Sequence, residues 1–156
     1  MRTILITLAL LAMSIVGKAQ SIDTILEQFK NEKNVTLVDM PKDLIALAAS
    51  SSGDKDAAKY LKSIDRLRVL SLEEADKTVR DNFFAAFKKL DLKDYNDVIR
   101  ATSDGEKVRI LTKEGKNDIT SLVICAIDAD DGDCTLVVID GHINPNDIDS
   151  IINSQK

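Results

Sequence analysis

The chain has 156 residues, with 21 lysines and arginines against 26 aspartates and glutamates, and its formal net charge is −5 at pH 7. This acidic balance argues against a protein that binds nucleic acid or anionic membrane surfaces. Aromatic residues make up only 4% of the chain and tryptophan is absent, so the exposed aromatic faces that commonly bind carbohydrate are not expected.

The N-terminus has the pattern of an export signal. Arg2 precedes an apolar run over residues 4–13, and the small residues Gly17 and Ala19 follow it. This order of a charged, an apolar and a small-residue segment is typical of a secretory signal peptide. Because the run is interrupted before it reaches the roughly 20 apolar residues that span a bilayer, we predict cleavage between Ala19 and Gln20 rather than a membrane anchor. The predicted signal peptide is residues 1–19.

The remaining chain, residues 20–156, is expected to form a single domain that is free in solution. Its length lies in the usual one-domain range. A lipoprotein signal would place a cysteine directly after the cleavage site, but both cysteines, Cys125 and Cys134, lie far downstream. No later segment has an apolar run long enough to span a bilayer, so no stable membrane insertion is expected after cleavage.

The first part of this domain alternates helical and strand patterns. Apolar residues recur at helical spacing from Ser21, and a short β-branched strand follows at 35–38. Next come two helices joined by a turn of small residues, and Asp54 is placed to cap the second. The apolar face predicted for the first of these two helices consists of Leu44, Ile45, Leu47 and Ala48.

The middle of the chain predicts another strand and the longest helix. Residues 66–70 alternate arginines with aliphatic residues, as expected of a strand that has one face in water. Ser71 and Glu74 match a capping box. The following helix is therefore predicted to begin at Ser71, and its apolar stripe continues to Leu90.

The last third of the chain has strand-like segments separated by glycine-containing turns, at 108–111, 119–127 and 134–139. These segments predict a three-strand antiparallel meander. Pro145 then begins a terminal helix, which is expected to dock through Ile148, Ile151 and Ile152. The predicted fold class is α+β: a sheet of roughly five strands, mixed or antiparallel, that ends in the meander, with helices packed mainly on one face.

The loop between the last two predicted strands is strongly acidic. Asp128, Asp130, Asp131 and Asp133 place four carboxylates within six residues, and Ca²⁺ prefers oxygen ligands. An EF-hand that began at Asp128 would need a glycine at position 133 and a glutamate at position 139, and the sequence has neither. A solvated hairpin turn therefore fits better than a metal site. No cofactor is predicted.

Cys125 and Cys134 flank this loop and form the disulfide candidate for an oxidising compartment. A bridge needs Cβ atoms within about 4 Å of each other. A two-residue turn at Asp131 and Gly132 would instead pair Cys125 with Val138. Both a bridge and two buried thiols are open at this point.

His142 is the only histidine of the chain. Acid–base catalysis would require it to lie close to a nucleophile or a carboxylate. Common catalytic and nucleotide-binding motifs are absent from the sequence, so no catalytic residue is assigned. The enzymatic alternative is a small hydrolase or Ca²⁺-dependent enzyme built from the Asp128 to Asp133 loop and His142.

Several segments together resemble one family: residues 35–38, 61–70, Tyr95, and residues 107–110, 119–123 and 136–143. The chain resembles the Bacteroidetes domain-of-unknown-function 4252 family over nearly all of residues 20–156. The resemblance implies an exported protein with no assigned activity and transfers no functional residues. The end of the signal peptide, Lys18-Ala19-Gln20, is similar to those common in that phylum, which implies the periplasm of a Gram-negative envelope. We expect a non-enzymatic module that binds an envelope protein or ligand through its sheet face or an edge strand.

Overall fold

The structure, a computed structural model, describes residues 20–148 of the chain. Its elements in chain order are α1 (Ile22–Phe29), β1 (Thr36–Pro41), α2 (Lys42–Ser51), α3 (Lys55–Lys62), β2 (Ile64–Ser71), α4 (Lys77–Lys88), β3 (Asn96–Ser103), β4 (Glu106–Glu114), β5 (Ile119–Asp128) and β6 (Cys134–Ile143). A helical turn at 145–148 follows β6.

All the strands belong to one antiparallel sheet in the order β1-β2-β6-β5-β4-β3. The predicted α+β class is correct, and the predicted meander is present as β4, β5 and β6. The sheet has six strands rather than roughly five, because β3 pairs with β4. The sequence pattern missed β3 because Asp97 and Arg100 interrupt its apolar alternation and Val98 lies where the register shifts.

One face of the sheet, which carries Leu70, Cys125 and Leu136, is covered by α1 and α4 and is called the helix-covered face below. The apolar residues of α1 recur at helical spacing and all are buried. Phe29 of α1 meets Phe83 of α4 edge to face, with ring centroids 5.4 Å apart. This packing confirms the apolar stripes predicted for both helices.

The opposite face carries a smaller apolar cluster formed by Ile119, Leu122, Ile143 and Ile148. Tyr60 of α3 also lies beside Leu122 there. The prediction that helices pack mainly on one face is therefore wrong. The α2–α3 hairpin and the turn at 145–148 bring apolar side chains to this second face, since the strands are apolar on both sides. Ile151 and Ile152, predicted to dock the terminal helix, lie outside the described residues.

The helix predicted to begin at Ser71 begins at Lys77 instead. Ser71 is the last residue of β2, and the N–H of Leu72 donates to the Cys134 carbonyl oxygen at 2.8 Å. The Leu72 side chain is completely buried. Burying a leucine contributes about 1.5–3 kcal/mol whereas a helix cap contributes about 1 kcal/mol, so the sheet extends past the apparent capping box. Asp76 occupies the N-cap position.

β6 passes very close to Ser63, the residue that follows α3. The His142 N–H donates to the Ser63 carbonyl oxygen at 2.8 Å. A Cβ added at Gly141 would lie only 2.2 Å from the same oxygen. The register of the β2–β6 ladder shifts here, between Ile64 and Arg66. Only glycine fits this position without moving one of the two strands.

Candidate functional site

The acidic loop forms a closed turn between β5 and β6. The Asp128 carboxylate accepts hydrogen bonds from the N–H groups of Asp130 and Asp131 at 2.8 and 3.2 Å. Asp133 forms an ion pair with Arg80 of α4 at 2.7 Å. Within residues 20–148, no three or more His, Cys, Asp or Glu side chains are grouped to hold a metal ion. Two of the candidate carboxylates thus stabilise the turn and its contact with α4.

Cys125 and Cys134 lie next to each other on the helix-covered face. The register pairs Cys125 with Leu136 and Cys134 with Ile127, so the cysteines are diagonal neighbours and the two-residue turn considered for this loop does not form. Their sulfur atoms are 3.9 Å apart and both side chains are buried. The hydrogen bond with Cys125, together with burial, raises the pKa of the Cys134 thiol. A bridge needs the sulfurs to approach to about 2.05 Å, and it stays a prediction.

His142 lies near the end of β6, between two carboxylates. Its Nδ1 atom is 2.6 Å from Asp118 Oδ2 and its Nε2 atom is 3.8 Å from Asp65 Oδ2. Asp65 also accepts from Lys42 at 2.6 Å, and the hydrogen bond from Lys42 holds the pKa of Asp65 below its usual value. The histidine side chain is 72% exposed. The imidazole therefore joins three chain segments at the open surface rather than in a cleft.

The acidic loop and His142 lie at opposite ends of β6. The loop precedes Cys134, the first residue of the strand, whereas His142 is its second-to-last residue. Because a strand rises about 3.3 Å per residue, roughly 25 Å separates the two features. The enzymatic alternative needed both in one cleft, and the geometry does not bring them together.

The edge strand β1 and the adjoining helix α2 expose apolar side chains. Of the four residues predicted to form the apolar face of α2, only Ile45 is buried, and Ala49 is buried beside it. Leu44 and Leu47 are 50% and 62% exposed and Ala48 is exposed as well, so this prediction is wrong at three of its four positions. Leu44 and Leu47 point away from the buried stripe because each helical residue turns by about 100°. Val38 of β1 is 45% exposed. We call Val38, Leu44 and Leu47 the β1–α2 edge.

The two outer strands of the sheet differ in how open they are. β1 pairs with β2 residue for residue without a bulge. In β3, Val98 is 48% exposed and lies at a register shift, and Asp97 accepts hydrogen bonds from Arg109 and Arg100. These two guanidinium groups hold the pKa of Asp97 well below its usual range. β1 also carries an ion-paired carboxylate, Asp39, so charge does not separate the two edges. A bulge discourages further strand pairing, and β1 has none, so β1 is the more open edge.

A polar cleft of about 540 Å³ lies at one end of the helix-covered face. Its floor includes Arg68 on β2, Asp140 on β6 and Ser121 on β5, and Asp140 and Ser121 are directly opposite in the β5–β6 ladder. The start of α1 and the segment 91–95 between α4 and β3 form its walls. We call this the Arg68 cleft.

Arg68 is buried at the base of this cleft, with only 9% of its side chain exposed. One terminal nitrogen contacts the Asp23 carboxylate in the first turn of α1, and Nη2 donates to Asp140 at 2.7 Å. The Nε atom has no hydrogen-bond partner among the described residues, and neither does the buried Oε1 atom of Gln20. The wet face predicted for residues 66–70 is therefore wrong at Arg68, which α1 covers.

Sequence analysis missed the Arg68 cleft because its members come from distant segments. Arg68 and Asp140 are 72 residues apart in the chain, and Asp23 and Arg68 are 45 residues apart. Lys113 completes one side of the cleft with its ammonium group 6.0 Å from the centre of the Tyr95 ring. The only local signal was an arginine placed between two aliphatic residues of a strand.

The fold and these surfaces define an α+β domain built on a six-stranded antiparallel sheet. The model of the family described as "Domain of unknown function (DUF4252)" matches residues 29–151. The chain belongs to this family, as the resemblance implied. Comparisons with curated proteins and with solved structures gave no match. Between residues 20 and 148, none of the helices has the length and apolar character needed to cross a membrane.

Proposed function

We propose that this protein is an exported, non-enzymatic binding module of the cell envelope, and that a partner protein docks on the β1–α2 edge. One observation supports this docking site. Of the four large apolar side chains that are exposed in residues 20–148, three lie on this edge. The pattern of residues 1–19 supports export to the periplasm.

The geometry of the edge fits an extended segment of the partner. β1 is the terminal strand of the sheet, so its outward backbone groups pair with no other strand of the described chain and are free to accept one. Strand addition gains affinity from main-chain hydrogen bonds and specificity from the side chains that alternate along the added strand. Leu44 and Leu47 offer apolar contacts beside that strand. A segment with aliphatic residues at alternate positions is the expected ligand.

Site-specific photocrosslinking in the native envelope tests this proposal. A photoreactive residue at Leu47 should capture one partner, identified by mass spectrometry. The matched control is Val98 on the opposite edge strand, which is 48% exposed, and a photoreactive residue there should not capture that partner. Leu44→Glu, at a position that is half exposed, should weaken capture from position 47 without unfolding the domain. Equal capture from positions 47 and 98, or none from 47, would refute the docking site.

A further inference from the structure

We propose that the Arg68 cleft binds a small zwitterionic molecule, a free amino acid or a short peptide. This site is separate from the β1–α2 edge, and it does not depend on the function proposed for that edge. The carboxylate of the ligand is expected to contact Arg68 and Lys113. The ammonium group of the ligand is expected to contact the acceptors on the α1 side of the cleft.

Two unpaired polar atoms point to a ligand here. Arg68 Nε and Gln20 Oε1 are the only buried side-chain nitrogen or oxygen atoms without a partner among the described residues, and both residues line the same cleft. Buried polar atoms in folded proteins are almost always hydrogen-bonded to protein, water or ligand. One of these atoms is a donor and the other an acceptor, so a molecule that carries both a carboxylate and an ammonium group offers a partner to each.

The charges that line the cleft nearly cancel, which favours a zwitterion over a strongly charged ligand. The lining cations are Arg68, Lys93 and Lys113, and the lining anions are Asp23, Asp91, Asp94 and Asp140. Asp23 and Asp140 already pair with Arg68, so their carboxylates disfavour a doubly charged anion such as phosphate more strongly than the single carboxylate of a zwitterion. Lys113 has no carboxylate partner among the described residues and is available for a single carboxylate.

The cleft is large enough to hold a small molecule as well as water. A water molecule takes up roughly 30 Å³ of liquid volume, whereas the cleft measures about 540 Å³. This volume lies in the range of roughly 300–1,000 Å³ that small-molecule sites occupy. The buried hydroxyl-bearing residue Ser121, only 5% exposed, adds a polar contact on the floor. An amino acid with its side chain, or a dipeptide, fits these dimensions.

Titration calorimetry on the purified protein, with each standard amino acid and with dialanine as probes, tests the proposal. At least one probe should bind, and its N-acetyl and its amide derivatives should each bind about tenfold more weakly, because each lacks one charge-assisted hydrogen bond. No heat from any probe at millimolar concentration would overturn the site. Derivatives that bind as tightly as the parent would overturn the assigned ligand class.

Matched variants locate the bound molecule. Lys113→Gln should weaken binding several-fold, whereas Lys116→Gln, at an exposed lysine outside the cleft, should leave the affinity unchanged. Arg68→Lys keeps the charge and removes the Nε donor, and it should lower affinity about tenfold. If Arg68→Lys fails to fold, Lys113→Gln and Ser121→Ala still decide the question. Binding that neither Lys113→Gln nor Ser121→Ala changes would place the ligand elsewhere and contradict the proposal.

Discussion

Gly141 is the residue at which a single added carbon should affect the fold most. Its missing side chain lets β6 approach Ser63, and a Cβ there would also lie 3.0 Å from Ile64 Cα. Both neighbours are backbone atoms that cannot rotate away. Gly141→Ala should therefore lower the free energy of unfolding by about 1–3 kcal/mol, the usual cost of overpacking, as measured by urea denaturation.

Gly53 is the matched control for this substitution. A Cβ at Gly53 would meet no atom within 4 Å. Gly53→Ala should leave stability unchanged or raise it by up to about 1 kcal/mol, because alanine restricts the unfolded chain. Equal losses in the two variants would show that the close approach at Ser63 has no special cost.

Asp97 should make stability depend on pH in the acid range. The hydrogen bonds from Arg109 and Arg100 lower the pKa of Asp97 in the folded protein. The stabilising contribution of Asp97 is therefore fully present at pH values above its pKa in the unfolded chain, which is about 3.9. The contribution is lost as the pH falls below about 4 toward the lower folded value. Asp97→Asn should lower the free energy of unfolding by about 0.5–1 kcal/mol at pH 7, as expected for a partly exposed ion pair.

The difference in free energy of unfolding between the wild type and Asp97→Asn should stay constant from pH 7 to about pH 5 and shrink below about pH 4. Chemical denaturation at several pH values measures it. Asp131→Asn is the control, because Asp131 is exposed and its side chain forms no ion pair among the described residues. A difference that grows on acidification would contradict the assigned direction of the pKa change.

Among the helices, α3 has a side-chain cap and α4 does not. The Asp54 carboxylate accepts from the N–H groups of Asp56 and Ala57 at 2.9 and 3.3 Å, whereas Asp76 holds the N-cap position of α4 without such a bond. Asp54→Ala should cost about 1 kcal/mol. Asp76→Ala should cost only a few tenths of a kcal/mol, through the helix dipole.

Thermal unfolding of the two variants, monitored by circular dichroism, gives this comparison. Asp56 also lies in the first turn of α3 and is unchanged in both proteins. A larger loss from Asp76→Ala than from Asp54→Ala would mean that capping geometry does not set the stability of these helix ends.

Sequence periodicity predicted the elements whose buried residues recur regularly, such as α1 and β5. Periodicity gave wrong predictions where tertiary contacts determine how far an element extends or which of its residues are buried. Leu72 extends the sheet because the β6 backbone is beside it, and Leu44 and Leu47 stay exposed because the helix turns them away from the sheet. The partners that bury Arg68 come from α1 and β6, so no local pattern could indicate the cleft.

At the scale of the whole molecule, export is a prediction from residues 1–19. Protein recovered from the periplasmic fraction should begin at Gln20, as shown by peptide mapping. The same preparation, measured with and without reductant, reports whether Cys125 and Cys134 are bridged, since reduction of a bridge adds two hydrogens. A chain that keeps residues 1–19 in the cytoplasmic fraction would contradict the export prediction.

The central claim is that a partner adds a strand at β1, and hydrogen exchange on the complex with the captured partner tests it most directly. Amides of residues 36–40 should exchange more slowly in the complex, because outward N–H groups of β1 gain backbone acceptors; Pro41 has no amide hydrogen. Amides of residues 96–103 on the other edge should be unchanged. Unaltered exchange at 36–40, or protection at 96–103 instead, would contradict docking at the β1–α2 edge.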